Sequence, residues 1–175
     1  LLGAVEHEPL ALAGLVAATG IARPTAHRLA VALEAHGMLR RDPDGRFLLG
    51  PRAIALGRAA EAAYPLRDAA MPALRELRDA TGESVQLYVR DGDRRVCLAS
   101  LESPHGLRTI VEAGASLPLD LGSAGAVLLA ERTVVRRGWA ESVGQREAGV
   151  ASVSAPVLDA AGGIVAAVGV SGPIE

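Results

Sequence analysis

Residues 20–50 read GIARPTAHRLAVALEAHGMLRRDPDGRFLLG, and this stretch decides the fold of the first part of the chain. Apolar residues recur at helical spacing from about Pro24 to His36, and Gly37 is placed to end that helix. The residues predicted to form its buried face are Ala26, Leu29, Ala30 and Leu33. The sequence therefore predicts an amphipathic helix packed against a neighbour.

A shorter helix is predicted just upstream, in PLALAGLVAATG, where Gly20 is placed to end it. Only a few residues separate it from Pro24, and proline is favoured in the first turn of a helix. Two short helices joined by a tight turn are typical of a helix-turn-helix, whose second helix enters the major groove of DNA. The first turns of that helix supply these candidate DNA contacts: Arg23, Thr25, His27 and Arg28.

A β-hairpin is predicted directly after the second helix. Two short runs, MLRR and RFLL, flank DPDG, in which proline and Asp-Gly favour a tight turn. A hairpin in this position is a wing, and its arginines, Arg41 and Arg46, are predicted to contact the DNA backbone or a minor groove. A helix pair without a DNA-binding role is the alternative, and the wing and the local basic charge argue against it.

Charge and composition narrow the class of protein. The chain has 175 residues, a net charge of −2 and no lysine. Residues 1–60 contain seven arginines and five acidic residues, whereas residues 61–175 contain eleven arginines and fifteen acidic residues, as expected for a DNA-facing module joined to another domain. No apolar run reaches the ~18 residues of a membrane span. The single cysteine, Cys97, excludes an internal disulfide, suits the cytoplasm and is expected to be a core residue.

The rest of the chain alternates between helical and strand patterns. The Ala-rich stretch PRAIALGRAAEAAY predicts a linker helix over 51–64, after a DNA-binding domain over 1–50. Over 65–175 a helix, PLRDAAMPALRELRDATG, precedes a β-hairpin in ESVQLYVRDGDRRVCLAS. LRTIVEAG is read as a further strand, LPLDLGSAGAVLLAE as an extended segment leading into a helix, and the last residues as two strands around DAAGG. These patterns predict an α+β fold.

Ser123, at the start of the helix in LGSAGAVLLA, has two interpretations. Free backbone N–H groups at a helix start bind anions, so this stretch could hold a small carboxylate. A serine there is equally well explained as a helix N-cap. GSAG lacks the first glycine of the Gly-x-Ser-x-Gly elbow, and His27 has no partner at metal-ligand spacing. The sequence thus predicts no catalytic residues, metal or cofactor, and a small-acid-binding protein or enzyme with a scaffolding helix-turn-helix is the alternative.

LAGLVAATGIARPTAHRLAVALEAHGMLRRDPDGRFLLGPRAIALG resembles the winged-helix domain of IclR-family transcriptional regulators. TGESVQLYVRDGDRRVCLAS, LPLDLGSAGAVLLA and VGVSGP resemble the family's effector domain, which has a GAF-like α+β fold. The resemblance implies a repressor or activator that binds a palindromic operator as a homodimer or a dimer of dimers. It also implies a small-molecule effector, often a carboxylic acid. ARPTAHRLAVALE and VRRGWAESVGQREAGVASVSAPV are similar to actinobacterial regulators of leucine and other amino-acid biosynthesis.

Matching motifs carry the family's effector positions onto this chain. The implied effector contacts are Leu117, Ser123, Ala124, Ser142, Ser152, Gly169 and Ser171. Family members that bind small oxoacids tend to have an acid at position 142, a cysteine at 152 and a serine at 169, so the pocket here is expected to be less acidic and larger. The family also has a longer helical segment between LLAE and VVRRGWAE, where this chain has only Arg132 and Thr133.

Overall fold

The structure, a computed structural model, describes residues 1–174 and divides into two units, Leu1–Tyr64 and Pro65–Glu175. After a short 3₁₀ turn, the first unit contains α1 (Leu12–Thr19), α2 (Arg23–Ala35), β1 (Leu39–Arg41), β2 (Phe47–Leu49) and α3 (Pro51–Ala62). The order is helix, turn, helix, hairpin and helix, so the predicted winged helix-turn-helix is confirmed.

The two helices meet through small side chains. Gly20 adopts φ 68°, and its N–H donates to the carbonyl of Val16, which closes α1 and starts the tight turn. Ala26 and Ala30 of α2 are fully buried, in a unit whose core also holds Leu15, Leu39 and Phe47. The prediction that Leu29 is buried was wrong, because α2 buries only a narrow stripe of alanines and leaves Leu29 40% exposed.

The first strand pair is anchored to the start of the unit. Leu39 pairs with Leu49 and Arg41 with Phe47 in an antiparallel hairpin. Phe47 also exchanges two backbone hydrogen bonds with Leu10, of 2.9 and 2.8 Å. The wing is therefore held both by the aromatic ring in the core and by a backbone bridge.

α3 contributes no buried residue, and Gly57 lies within it with nothing inside 4 Å of an ideal Cβ. We expect Gly57→Ala to stabilise the protein by about 0.5–1 kcal/mol, because glycine is a poor helix former. Urea unfolding followed by circular dichroism measures this. Gly45→Ala is the matched control: its Cβ also meets nothing, but Gly45 has φ 78°, so that change should destabilise the protein. Equal effects would contradict the argument.

The second unit is a six-stranded antiparallel sheet with helices on both faces. Its strands are ordered β5-β4-β3-β8-β7-β6. Its elements are α4 (Pro65–Thr81), β3 (Ser84–Asp91), β4 (Arg94–Leu101), β5 (Ser116–Pro118), α5 (Gly122–Leu128), α6 (Arg132–Arg137), β6 (Ala140–Val143), β7 (Val150–Leu158) and β8 (Ile164–Pro173). The α+β prediction is confirmed, and the arrangement is consistent with a GAF-like domain.

Successive side chains of β3 point to opposite faces of the sheet and so belong to two different hydrophobic cores. Val85 and Leu87 pack with Leu74 of α4, whereas Tyr88 packs with Cys97 and α5 on the other face. A bulge at Leu87/Tyr88 makes this possible, since Leu87 pairs with Ala99 and Tyr88 with Cys97. Cys97 is buried, as expected of a core residue.

The prediction of a strand at residues 107–114 was wrong. This segment is irregular, although Thr109 and Val111 within it are buried. Its backbone is bound by a side chain instead of a strand ladder, since the Ser84 hydroxyl donates to the carbonyl of Thr109 at 2.7 Å. Alternation of apolar residues thus indicated burial here but not strand pairing. Within residues 1–174 no helix has the length and hydropathy of a membrane span.

Candidate nucleic-acid interface and ligand pocket

The N-terminal half of α2 presents the predicted DNA contacts to solvent. Arg23, His27 and Val31 are exposed and follow one another at intervals of four residues, so they lie along one face. Arg28 is exposed beside His27. Thr25 is half-buried. The structure therefore places two arginines and a histidine together on the exposed start of this helix.

The wing presents its two arginines differently. The Asp42 carboxylate accepts the N–H groups of Asp44 and Arg46, at 3.0 and 2.8 Å, and this fixes the turn. Arg46 follows the turn, and its side chain is exposed. Arg41 donates to Glu34 at 3.1 Å, and its guanidinium lies 4.4 Å from the centre of the Phe47 ring. An exposed ion pair of this kind contributes little, so a DNA phosphate can replace Glu34 as the partner of Arg41.

In the second unit, strand register gathers serines that are far apart in the sequence. The pairing aligns one row of four, across β3, β8, β7 and β6: Ser84, Ser171, Ser152 and Ser142. The neighbouring row on the same face contains Gln86, Gly169 and Ser154. An ideal Cβ on Gly169 would lie 2.6 Å from the Ser154 hydroxyl, so glycine leaves space for that group.

Ser123 is not a helix cap. The N-cap position of α5 is Leu121, and no side chain caps the helix. The Ser123 hydroxyl is instead buried and lies 2.8 Å from the hydroxyls of both Ser152 and Ser154. Of the two interpretations left open by the sequence, the N-cap is therefore wrong. The hydroxyl belongs to a cluster between α5 and the sheet.

A cavity of about 30 Å³ lies between α5 and the sheet. Its lining comprises Gln86, Tyr88, Arg95, Gly122, Ser123, Ala124, Ser142, Arg146, Val150, Ser152, Ser154, Gly169, Val170 and Ser171. Six of the seven implied effector contacts are among them. Leu117 is not among them; it lies on β5, where it pairs with Arg95. No described acidic residue lines the cavity, as expected of a less acidic pocket.

Sequence reasoning missed four polar or charged lining residues: Gln86, Tyr88, Arg95 and Arg146. The alternation of side chains along β3 predicts that Gln86 and Tyr88 share the face away from Val85, and this pattern was the only sequence signal for them. Burial raises the pKa of the Tyr88 hydroxyl, so it stays a neutral donor. Burial lowers the pKa of Arg95, and nearby Arg146 acts in the same direction. Burial raises the pKa of the Cys97 thiol to about 12, and this residue lies in the core beside the site.

No group of three or more potential metal-ligating side chains occurs in the described part of the chain. The arrangement places hydroxyl, amide and guanidinium donors around one small cavity. Such groups bind an acceptor-rich small molecule, and nothing in them constitutes a nucleophile activated by a base.

Comparison with known proteins agrees with both halves of the chain. Residues 1–43 match the IclR helix-turn-helix domain. Residues 59–134 and 132–175 match the C-terminal domain of bacterial IclR transcriptional regulators, in two pieces that meet where the sequence predicts a shortened helical segment.

Individual relatives extend this agreement. The glycerol operon regulatory protein of Streptomyces griseus is 30% identical, over 95% of this chain and 78% of that protein. KipR, an HTH-type transcriptional regulator of Bacillus subtilis (strain 168), is 32% identical over 70% of this chain and 50% of its own length. The crystal structure of an IclR homolog complexed with 4-hydroxybenzoate from Microbacterium hydrocarbonoxydans has a TM-score of 0.79 at 21% identity, covering 98% of this chain and 84% of that one.

These proteins are transcriptional regulators and not enzymes, as the sequence predicts, and none of the three names refers to amino-acid biosynthesis. The family models cover most of the chain, and both the fold and the order of the domains agree with them. The chain belongs to the IclR family of ligand-responsive, DNA-binding transcriptional regulators.

Proposed function

We propose that this regulator binds a palindromic operator as a homodimer or a dimer of dimers, in the cytoplasm, under control of a small acid held between α5 and the sheet. The DNA-binding domain is residues 1–50, the linker helix 51–64 and the effector domain 65–175. The exposed basic start of α2, followed directly by the wing, is the observation that carries the proposal.

The proposed DNA contacts divide into two kinds. Arg23, His27 and Arg28 lie where a recognition helix meets base edges, and Thr25 lies at the same helix start. Arg41 and Arg46, on the wing, are placed to contact phosphate or a minor groove. Base contacts supply sequence discrimination, whereas phosphate contacts supply affinity for any sequence.

The proposed effector site is supported by buried polar groups. The hydroxyl of Ser123 contacts those of Ser152 and Ser154, and Ser142 and Ser171 lie in the same row as Ser152. The related Microbacterium protein binds 4-hydroxybenzoate, a carboxylic acid. A cavity of about 30 Å³ favours acids shorter than leucine, and an effector as large as leucine would require the site to open.

The proposed control is thermodynamic linkage. An effector that binds one arrangement of the dimer more tightly than another shifts the population toward it. In a two-fold dimer this changes the spacing of the two recognition helices and hence the affinity for a palindrome. By linkage, operator DNA must change effector affinity by the same factor.

The first test is binding to a fluorescent duplex from the protein's own promoter region, at two salt concentrations, with and without leucine and short carboxylic acids. Specific, salt-dependent binding that an acid shifts supports the proposal. Binding that no metabolite shifts would leave the DNA-binding half intact and refute metabolite control. Absence of specific binding would refute the operator proposal itself.

We expect Arg28→Ala and Arg46→Ala to impair DNA binding in different ways. Arg28→Ala should lose about 1–3 kcal/mol of discrimination between operator and random DNA if the side chain reads a base. Arg46→Ala should weaken binding to all sequences and reduce the salt slope by about one unit. Anisotropy titrations on both duplexes over a range of salt measure both quantities.

Arg90→Ala is the matched control for these two changes. Arg90 is an exposed arginine of the second unit, whose side chain donates to the carbonyl of Gly92. It should leave operator affinity, discrimination and salt slope unchanged. Identical profiles for Arg28→Ala and Arg46→Ala would contradict the division between base and phosphate contacts.

A further inference from the structure

Arg95 is a buried cation without an acidic partner. Its side chain is 3% exposed, and its Nη1 donates to the carbonyl oxygens of Pro118 and Leu121. Its guanidinium lies 5.4 Å from the centre of the Tyr88 ring. Its Nε has no hydrogen-bond partner, and no ion pair of the described chain includes it. Carbonyls and a ring face orient this charge but do not neutralise it.

Gln86 lines the same cavity with a second unused donor. It is 2% exposed, and its Oε1 accepts the Ser171 hydroxyl at 3.0 Å. That contact fixes the amide, so that Nε2 is the remaining group, and Nε2 has no partner. Folded proteins satisfy nearly all buried donors, so two unused donors around one cavity indicate a missing partner.

From these two residues we infer that Arg95 determines the specificity of the effector site, by pairing with the carboxylate of a short-chain acid whose oxygens also accept from Gln86. This inference rests on the proposed effector site and names the residue that recognises the carboxylate of its ligand. The cavity volume of about 30 Å³ limits that ligand to a small molecule. A water molecule could satisfy donors but could not balance the charge.

The other ionisable groups near the cavity are neutral, paired or outside its lining, so we expect the ligand to carry a single negative charge. Arg146 lines the cavity and is paired with Glu147 at 3.7 Å, so its charge is partly balanced within the chain. Tyr88 is held neutral by burial, as its raised pKa indicates. Asp120 has the smallest of the named influences on the pKa of Arg95, which it raises, and it is exposed and does not line the cavity. Arg95 is thus the lining cation left for the ligand to neutralise.

Isothermal titration of the whole chain with lactate, and with its neutral analogue lactamide, tests the inference. We expect lactate to bind and lactamide to bind at least about tenfold more weakly, because charge-assisted hydrogen bonds are the stronger ones. Arg95→Gln should weaken the binding of lactate by about ten- to a hundredfold. Arg94→Gln is the matched control, since Arg94 is exposed on the same strand and donates to Ser116. It should bind lactate as the unaltered chain does.

Gln86→Glu guards against a variant that simply fails to fold. This change keeps the shape of the side chain and the acceptor for Ser171, and it places a carboxylate in the cavity that Arg95 also lines. We expect it to raise or preserve the melting temperature while abolishing lactate binding. A purely structural role for Gln86 predicts a lower melting temperature.

Three results would overturn the inference: equal binding of lactate and lactamide, equal lactate affinity in folded Arg95→Gln and Arg94→Gln, or no binding of either compound. None of them bears on promoter binding at two salt concentrations, which tests the proposed DNA function separately. Conversely, lactate binding that depends on Arg95 but leaves operator affinity unchanged would uphold the inference and refute metabolite control.

Discussion

Phe47→Ala is expected to unfold the winged-helix unit and abolish operator binding, while the second unit stays folded. The Phe47 ring is 1% exposed and packs with Leu15, Ala30 and Leu39. Removing a buried phenylalanine costs about 3–5 kcal/mol, which is most of the stability of a small domain. The residues that pack against the ring all come from the first 64 of the chain, so the second unit loses no core contact.

Thermal unfolding by circular dichroism, together with anisotropy on operator DNA, measures both consequences. Leu49→Ala is the matched control: Leu49 lies on the same strand but is 37% exposed, so its loss should cost far less. Operator affinity retained in Phe47→Ala, or equal losses in the two variants, would show that the ring does not hold the wing.

The winged helix was predictable because its elements depend on near neighbours. Helical spacing around Ala26 and Ala30, the glycine after α1 and DPDG in the wing are local signals with local causes. The one misplaced residue, Leu29, shows the limit of periodicity. Spacing identifies the face of a helix, but the width of the buried stripe depends on how much surface its neighbours cover.

The effector site was predictable only in part. Ser123, Ser152 and Gly169 were expected from their motifs. Their contacts, however, depend on the register among β3, β8, β7 and β6, which brings together residues far apart in the sequence, such as Ser171 and Gln86, which are 85 residues apart. Arg95 gave no signal, since an arginine in a strand is ordinarily exposed. The carbonyl oxygens that accept from it belong to Pro118 and Leu121, which are more than twenty residues away in the sequence.

Gly125→Ala is expected to disrupt the effector site from within α5. An ideal Cβ on Gly125 would overlap the carbonyl oxygen of Leu119, lie 3.0 Å from its carbonyl carbon and lie 3.2 Å from Nη1 of Arg95. Leu119 cannot move away freely, because it is buried and its N–H donates to the backbone carbonyl oxygen of Asp93 at 3.1 Å. The helix must therefore move away from the sheet, at a cost of about 1–3 kcal/mol for overpacking.

Movement of α5 would also separate Ser123 from its partner hydroxyls and shift Arg95, so we expect loss of effector response together with the lowered stability. Urea unfolding measures the stability, and titration with short acids measures the response. Gly106→Ala is the matched control in the same unit, since its Cβ meets nothing within 4 Å and its φ is not positive. If Gly125→Ala matched Gly106→Ala in both measurements, α5 would have room that the close contact with Leu119 denies it, and the cavity would owe its size to something other than this helix.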